Sequence, residues 1–268
     1  MQILLGPAGT PGKNTLDGLS ATKKLGLQAM EVQFTHGIAM GLELAKKIGE
    51  ENKKYEVALS IHAPYFINLA SEDKKKIEAS KKRIIDSCER GHLMSSNNIV
   101  KIVFHAGYYG KRSKEETYEM IKDAIEEMQK IIKERKWRVS LAPETSGKHS
   151  AFGTLDEIIN IAKEAKCSLC TDIAHLYAKG MGRIDYDDII KKLKKAREKN
   201  YHFHFSNIKY SEKGELSHLV LDHNPDFSVF AESILRSKIG CTIISESPIT
   251  WKDSLKMKGI LEKREYKF

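Results

Sequence analysis

Short runs of β-branched and aromatic residues alternate along this chain with longer, charge-rich runs of helical period. The short runs predict strands near residues 2–6, 28–34, 57–62, 99–105, 138–144, 167–172, 201–207 and 240–246. Ile99-Val-Lys-Ile-Val-Phe104 is the clearest of them, being branched, aromatic and brief. The intervening stretches read as amphipathic helices. From Tyr118 to Ile132, residues Met120, Ile121, Ala124, Ile125, Met128, Ile131 and Ile132 share one face, with acids leading and lysines trailing as a helix dipole favours. Ser113 and Thr154 stand where N-caps belong, and Glu116 follows Ser113 at capping-box spacing. Strict alternation of strand and helix predicts a parallel sheet with right-handed crossovers, and eight such units close into a (β/α)₈ barrel of the α/β class. An open doubly wound sheet would carry a glycine-rich phosphate loop after its first strand. Here that loop reads Gly6-Pro-Ala-Gly-Thr-Pro-Gly12, which fits neither the dinucleotide fingerprint nor a P-loop. No linker or repeat interrupts the alternation, so a single domain is expected over residues 1–268.

Composition narrows the partners. The 268 residues suit one such barrel, which takes roughly 250. The net charge of +9 and the isoelectric point near 9.1 favour a polyanionic partner. Four cysteines, Cys88, Cys167, Cys170 and Cys241, are too few for a disulfide scaffold. Cys167 and Cys170 stand at odd spacing in a predicted strand, so they face opposite sides and form neither a zinc knuckle nor a redox pair. No apolar run approaches the ~18 residues of a membrane span. A soluble, cytoplasmic monomer that binds no membrane is the expectation.

Catalytic groups in such barrels come from the C-terminal ends of the strands. The third predicted strand ends in Ser60-Ile-His62-Ala-Pro-Tyr65, the fourth in Val-Phe-His105, the fifth in Ala-Pro-Glu144, and the sixth in Thr171-Asp172-Ile-Ala-His175. The seventh contains His202-Phe-His204, the eighth ends in Ser245-Glu246, and the second offers Gln33. Imidazoles and carboxylates thus recur at one level on six successive strands. Buried together without a counter-ion they would leave charge unpaired in a dry cavity. Neutral imidazole with carboxylate suits zinc, manganese or iron rather than calcium, and this many ligands suits two or three ions with a bridging carboxylate. His202 is expected one layer deeper than His204, as a core or supporting residue. His36, His92, His149 and His223 are expected on the surface or in loops.

The ordered set His62-Ala-Pro-Tyr65-Phe-Ile-Asn-Leu, Phe104-His105-Ala-Gly, Pro143-Glu144-Thr, Thr171-Asp172-Ile-Ala-His175, His204-Phe-Ser-Asn, Gly214-Glu-Leu-Ser-His218-Leu and Ser245-Glu246-Ser-Pro resembles the endonuclease IV apurinic/apyrimidinic endonucleases, a branch of the xylose-isomerase-like TIM barrels. The resemblance runs over nearly the whole chain. It implies a trinuclear zinc centre, with manganese as an alternative metal, in a base-excision DNA repair enzyme that cuts duplex DNA 5′ to abasic sites. By the same resemblance His62 and His105 hold one ion, Glu144 bridges it to a second held by Asp172, His204 and Glu246, and His175 and His218 hold a third. Glu144 is then the central catalytic carboxylate.

The chain departs from that pattern in places. The family's Asp-x-His at the third ion is replaced by Glu215-Leu-Ser-His218, so the acid there is either Glu215, reached through a local bulge, or Asp222. The first strand lacks the family's histidine, and Phe34-Thr35-His36-Gly37 stands where the family has a DNA-bending basic residue. Tyr65 matches the DNA-penetrating tyrosine, with Phe66 as a second apolar wedge. Lys111, Arg112, Lys148, Lys179, Arg183, Lys209 and Lys213 lie in predicted loops around the mouth, where a phosphate backbone would run. The competing function is a sugar or sugar-phosphate isomerase or epimerase of the same superfamily, which needs only about four ligands.

Overall fold

A computed structural model describes residues 1–268. In chain order the elements begin β1 (Ile3–Pro7), α1 (Thr15–Lys24), β2 (Ala29–Gln33), α2 (Leu42–Tyr55), β3 (Ala58–His62), α3 (Lys74–Met94), β4 (Val100–Phe104), α4 (Lys114–Glu134), β5 (Val139–Pro143) and α5 (Leu155–Glu164). They continue β6 (Cys170–Asp172), α6 (Ile173–Lys179), α7 (Tyr186–Leu193), β7 (Tyr201–Phe205), β8 (Asn207–Ser211), β9 (Gly214–Leu219), α8 (Phe227–Ser237), β10 (Cys241–Ser245) and α9 (Trp251–Glu262). Each of the eight strands expected from the sequence is present. The hairpin β8–β9 is additional, and it rises beside the C-terminal end of β7.

The parallel strands form two four-stranded arcs, β2-β3-β4-β5 and β6-β7-β10-β1. Parallel bridges between Ala8 and Glu31 and between Glu144 and Cys170 join the arcs at both seams. The result is a closed (β/α)₈ barrel. At the β1–β2 seam the strands approach so closely that a Cβ on Gly6 would lie 1.9 Å from the Ala29 carbonyl oxygen. Only glycine fits there.

The helices form for the reasons the sequence suggests. Ser113 and Thr154 close reciprocal capping boxes with Glu116 and Glu157 at the starts of α4 and α5. The buried face of α4 is Thr117, Ile121, Ala124, Ile125, Met128 and Ile132. A continuous core of 57 buried apolar residues fills the space between strands and helices. The lumen inside the strands differs: its one apolar cluster is Val103, Ala142 and Cys170. Cys167 packs in the outer core and Cys170 in the lumen, as their odd spacing requires, although β6 itself begins only at Cys170. All four cysteines are free and buried.

Candidate metal centre

Glu144 continues the line of β5 into the barrel mouth, and its carboxylate is buried at the meeting point of four imidazoles. Its Oε2 lies 3.4 Å from His62 Nε2 and 3.3 Å from His105 Nε2. Its Oε1 lies 2.8 Å from His204 Nδ1 and 3.9 Å from His175 Nδ1. Two sets of ligand atoms share this residue. His62, His105 and Glu144 form one, and Glu144, Asp172, His204 and Glu246 form the other, each with its ligand atoms within 4.8 Å of one another.

Local structure aims these groups. Asp172 is the N-cap of α6: its Oδ1 accepts the His175 backbone N–H at 2.6 Å. The same carboxylate therefore ends β6 and starts the turn that brings His175 to the mouth. One ring nitrogen of most of these imidazoles is tied to the protein. His62 Nδ1 donates to the Ala63 carbonyl at 2.8 Å, and His175 Nδ1 donates to the Thr145 carbonyl at 3.0 Å. His218 Nδ1 pairs with the Ser206 hydroxyl at 2.6 Å. Each of these three rings thereby turns Nε2 inward.

The hairpin delivers the remaining acid. Its ladder pairs Lys209 with Ser217 but Tyr210 with Glu215, so the register shifts and Leu216 is the extra residue. Gly214 precedes it at φ +105°, a conformation L-residues resist, with its backbone against Gly147. This geometry places Glu215 Oε2 3.1 Å from His175 Nε2 and 2.9 Å from the Gly147 N–H. His218 Nε2 stands 3.7 Å from Glu246 Oε2. Asp222 is elsewhere, paired with Lys256 at 3.1 Å on the surface.

Electrostatics follow from this crowding. Burial disfavours charge on His62, His105, His175 and His204. The surrounding carboxylates overcome that for His62 and His175, whose pKa values are pushed up to about 9. For His105 burial wins, reinforced by its imidazole neighbours, and the value falls to about 4. Burial opposes ionisation of Glu144 as well, yet the ring of imidazoles holds its carboxyl well below the usual range. Glu246 moves the other way, raised chiefly by burial. Three polar atoms at this centre have no hydrogen-bond partner: Glu144 Oε2, Asp172 Oδ2 and His105 Nδ1. Two unpartnered anionic oxygens in a buried cluster of imidazoles are what divalent cations would satisfy, so the donor set fits metal ions.

One buried acid escaped the sequence reading. On β2 the strand was expected to offer Gln33, yet Glu31 faces the same way and is completely buried. It lies 3.1 Å from both His202 Nε2 and His204 Nε2 and accepts from Ser60 Oγ at 2.8 Å and Gln33 Nε2 at 3.1 Å. The signal was available: Glu31 stands two residues before Gln33 in an otherwise apolar strand, and period-two alternation puts both inside. His202 occupies the deeper layer expected of it, with burial depressing its pKa to about 4.

Above the ligands lies a cavity of about 440 Å³ lined in part by His62, Tyr65, His105, Lys148, Glu215 and His218. Tyr65 lines it and is exposed, and the next residue, Phe66, is more exposed still at 71% without lining it. Of the basic residues expected around the mouth only Lys148 lines this cavity. Arg112 is tied down to the Ala70 carbonyl at 2.7 Å, and Lys179 is part-buried against the Ala151 carbonyl at 3.4 Å. Lys111, Arg183, Lys209 and Lys213 are exposed outside it. Tyr108 and Leu216, both exposed and both lining the cavity, were not anticipated. No helix is long and apolar enough to cross a membrane.

The sequence model described as "Xylose isomerase-like TIM barrel" matches residues 19–260. An uncharacterized protein of Methanocaldococcus jannaschii is 34% identical over 95% of this chain and 95% of its own length. A protein named probable endonuclease 4 from Aster yellows witches'-broom phytoplasma is 31% identical over 56% of this chain, and the match spans 52% of that protein. Among solved structures, endonuclease IV from Thermus thermophilus superposes with a TM-score of 0.75 at 17% identity, covering 98% of this chain and 100% of that one. A D-tagatose 3-epimerase-like protein superposes with a TM-score of 0.69 at 21% identity, covering 92% of this chain and 91% of that one.

Proposed function

This chain belongs to the xylose isomerase-like TIM barrel family, and we propose that within it the protein is a metal-dependent DNA repair endonuclease that hydrolyses the phosphodiester 5′ to abasic sites in duplex DNA. The observation that carries the reading is the position of Glu144, one carboxylate shared by two ligand sets and ringed by four imidazoles. A single ion needs about four ligands, and nine candidates converge here. His62, His105 and Glu144 would hold one ion, Glu144, Asp172, His204 and Glu246 a second, and His175, Glu215 and His218 a third. Zinc is the metal this imidazole-rich set favours, with manganese as the substitute. Bound there, such ions would supply Lewis-acid polarisation of a phosphodiester and would make a water easier to deprotonate near neutral pH.

The chain's own residues supply the rest. The buried strand ends fix the spacing of the carboxylates before substrate arrives, so little reorganisation is needed during reaction. Tyr65 and Phe66 present apolar surface at the rim, suited to filling the gap left in a base stack by a missing base. Lys148 at the cavity edge, with Lys111, Arg183, Lys209 and Lys213 beyond it, offers positive charge to the flanking phosphates. The named relatives and the structural likeness to endonuclease IV support this reading.

The set Glu144, Asp172, His204 and Glu246 by itself favours a second reading, a sugar isomerase or epimerase, and a D-tagatose 3-epimerase-like protein shares the fold. One experiment separates the two. The purified chain is loaded with zinc or manganese and given a duplex containing one abasic analogue, and in parallel a panel of ketoses and their phosphates. Nicking on the 5′ side of the lesion is the expected result. An intact duplex with interconverted ketoses would replace the nuclease with the isomerase.

A further inference from the structure

Four imidazoles of the centre have one ring nitrogen anchored by the protein and the other facing one of its carboxylates, Glu144, Glu215 or Glu246. For His62, His175 and His218 the anchor is a carbonyl or a hydroxyl on Nδ1. His204 is inverted. Its Nε2 faces down the barrel to Glu31, 3.1 Å from Oε1 and 3.2 Å from Oε2, while Nδ1 faces Glu144 at 2.8 Å and Glu246 at 3.4 Å. We propose that Glu31 is the positioning residue of the centre. It accepts the Nε2–H of His204, fixes that tautomer, and so leaves the Nδ1 lone pair to the metal. The inference rests on the metal-centre reading above.

The surroundings of Glu31 hold it to this task. Both of its oxygens are engaged: Oε1 by Gln33 and His204, Oε2 by Ser60, His202 and His204. Contacts on both oxygens hold the carboxylate in this orientation. It lies one layer below the mouth and is completely buried, which keeps it out of reach of any substrate. A carboxylate behind a metal-bound imidazole raises the basicity of the ring and orients it, and removing such a partner typically costs 10- to 100-fold in metal affinity. A rival assignment exists in the same layer. Cys170, His202 and His204 bring ligand atoms within 4.8 Å of one another. The Nε2 atoms of both imidazoles already point at Glu31, however, so this lower cluster is closed by a carboxylate rather than open for an ion.

The test uses the full chain loaded with zinc. Wild type, Glu31→Gln and Cys170→Ser are compared for zinc content and for zinc affinity against a chromophoric chelator, with circular dichroism reporting the fold. Glu31→Gln keeps the carbonyl but puts an NH₂ against N–H donors, and is expected to weaken one zinc site 10- to 100-fold. Cys170→Ser is expected to keep the full zinc content. In wild type alone, ¹⁵N-histidine NMR is expected to show His204 protonated on Nε2 and bound to zinc through Nδ1. That measurement stands even where Glu31→Gln fails to fold. A folded Glu31→Gln protein with zinc affinity within twofold of wild type overturns the proposal, as does zinc on Nε2 of His204 or loss of one ion from Cys170→Ser. A wild-type protein that binds no zinc overturns the metal centre itself, and the positioning role falls with it.

Discussion

Two of the ligand clusters at this mouth are built from different materials. The inner one, Glu144, Asp172, His204 and Glu246, comes from the ends of four barrel strands, and the side chains of its first three members are shut off from solvent. The outer one, His175, Glu215 and His218, comes from the short helix α6 and from the hairpin β8–β9, and the His218 side chain is 32% exposed. Strand ends are held by the ladder and by the outer core of 57 residues, so the inner ligands are placed as part of folding the barrel. The outer ligands depend on a seven-residue helix, a bulge at Leu216 and one glycine at positive φ. Position in the inner cluster is a property of the whole barrel. Position in the outer one is a property of a few local turns, which a sequence can alter while the barrel stays the same.

The largest effect should come at Glu144, which the inner cluster shares with His62 and His105. Glu144→Gln is expected to lower nicking of an abasic duplex by at least about 100- to 1000-fold, on the scale of losing preorganised charge stabilisation, while the circular dichroism of the barrel is kept. Metal counting on the same variant should show loss from both sides of Glu144. Full metal content with most activity retained would rule out Glu144 as a bridge between the two sets that share it.

Next in size, the outer cluster should be separable. Glu215→Ala or His218→Ala is expected to remove about one ion per chain and slow nicking by roughly 10- to 100-fold. Asp222→Ala, which touches only Lys256, should change stability by less than about 0.5 kcal/mol and leave the metal count alone. The reverse pattern, measured by elemental analysis, would move the third acid to Asp222.

Metal removal sharpens the contrast through pH. In the stripped protein His62 and His175 have pKa values raised to about 9, so the folded state holds protons that the unfolded chain releases near 6.5. Their contribution to stability is complete below about 6.5 and is lost as pH rises through about 9. Thermal midpoints of chelator-treated protein should therefore fall across that window, whereas zinc-loaded protein, its imidazoles already deprotonated, should be flat there. Parallel curves for the two forms would remove these imidazoles from the centre.

The smallest effect concerns the rim. Lys148→Ala or Arg183→Ala is expected to reduce the slope of log affinity for abasic duplex against log salt by less than one unit, one phosphate contact at most. Gel-shift titrations over a range of salt measure this, and a salt-independent affinity would point to a small-molecule substrate.

Much of this architecture is written in local pattern. Alternation of strand and helical period predicts the barrel, because a parallel strand needs a crossover of helix length. Six of the ligand candidates are legible as the last polar residue of a short apolar run, since strand ends are where barrels expose chemistry. The outer cluster is less so. The spacing Glu215-Leu-Ser-His218 leaves two acids open, and only the register of β9 against β8, a contact between segments, selects the one beside His175. The hairpin itself was missed, because residues 207–219 lack the apolar run that marks the core strands. Glu31 lies at the far limit. Period two places it inside the barrel, but its partners His202 and His204 are about 170 residues away in sequence, 171 and 173 positions on. Periodicity along a chain decides which way a side chain points. Which side chain it meets across the lumen is decided by closure of the barrel, which brings β2 and β7 together without any local pattern recording it.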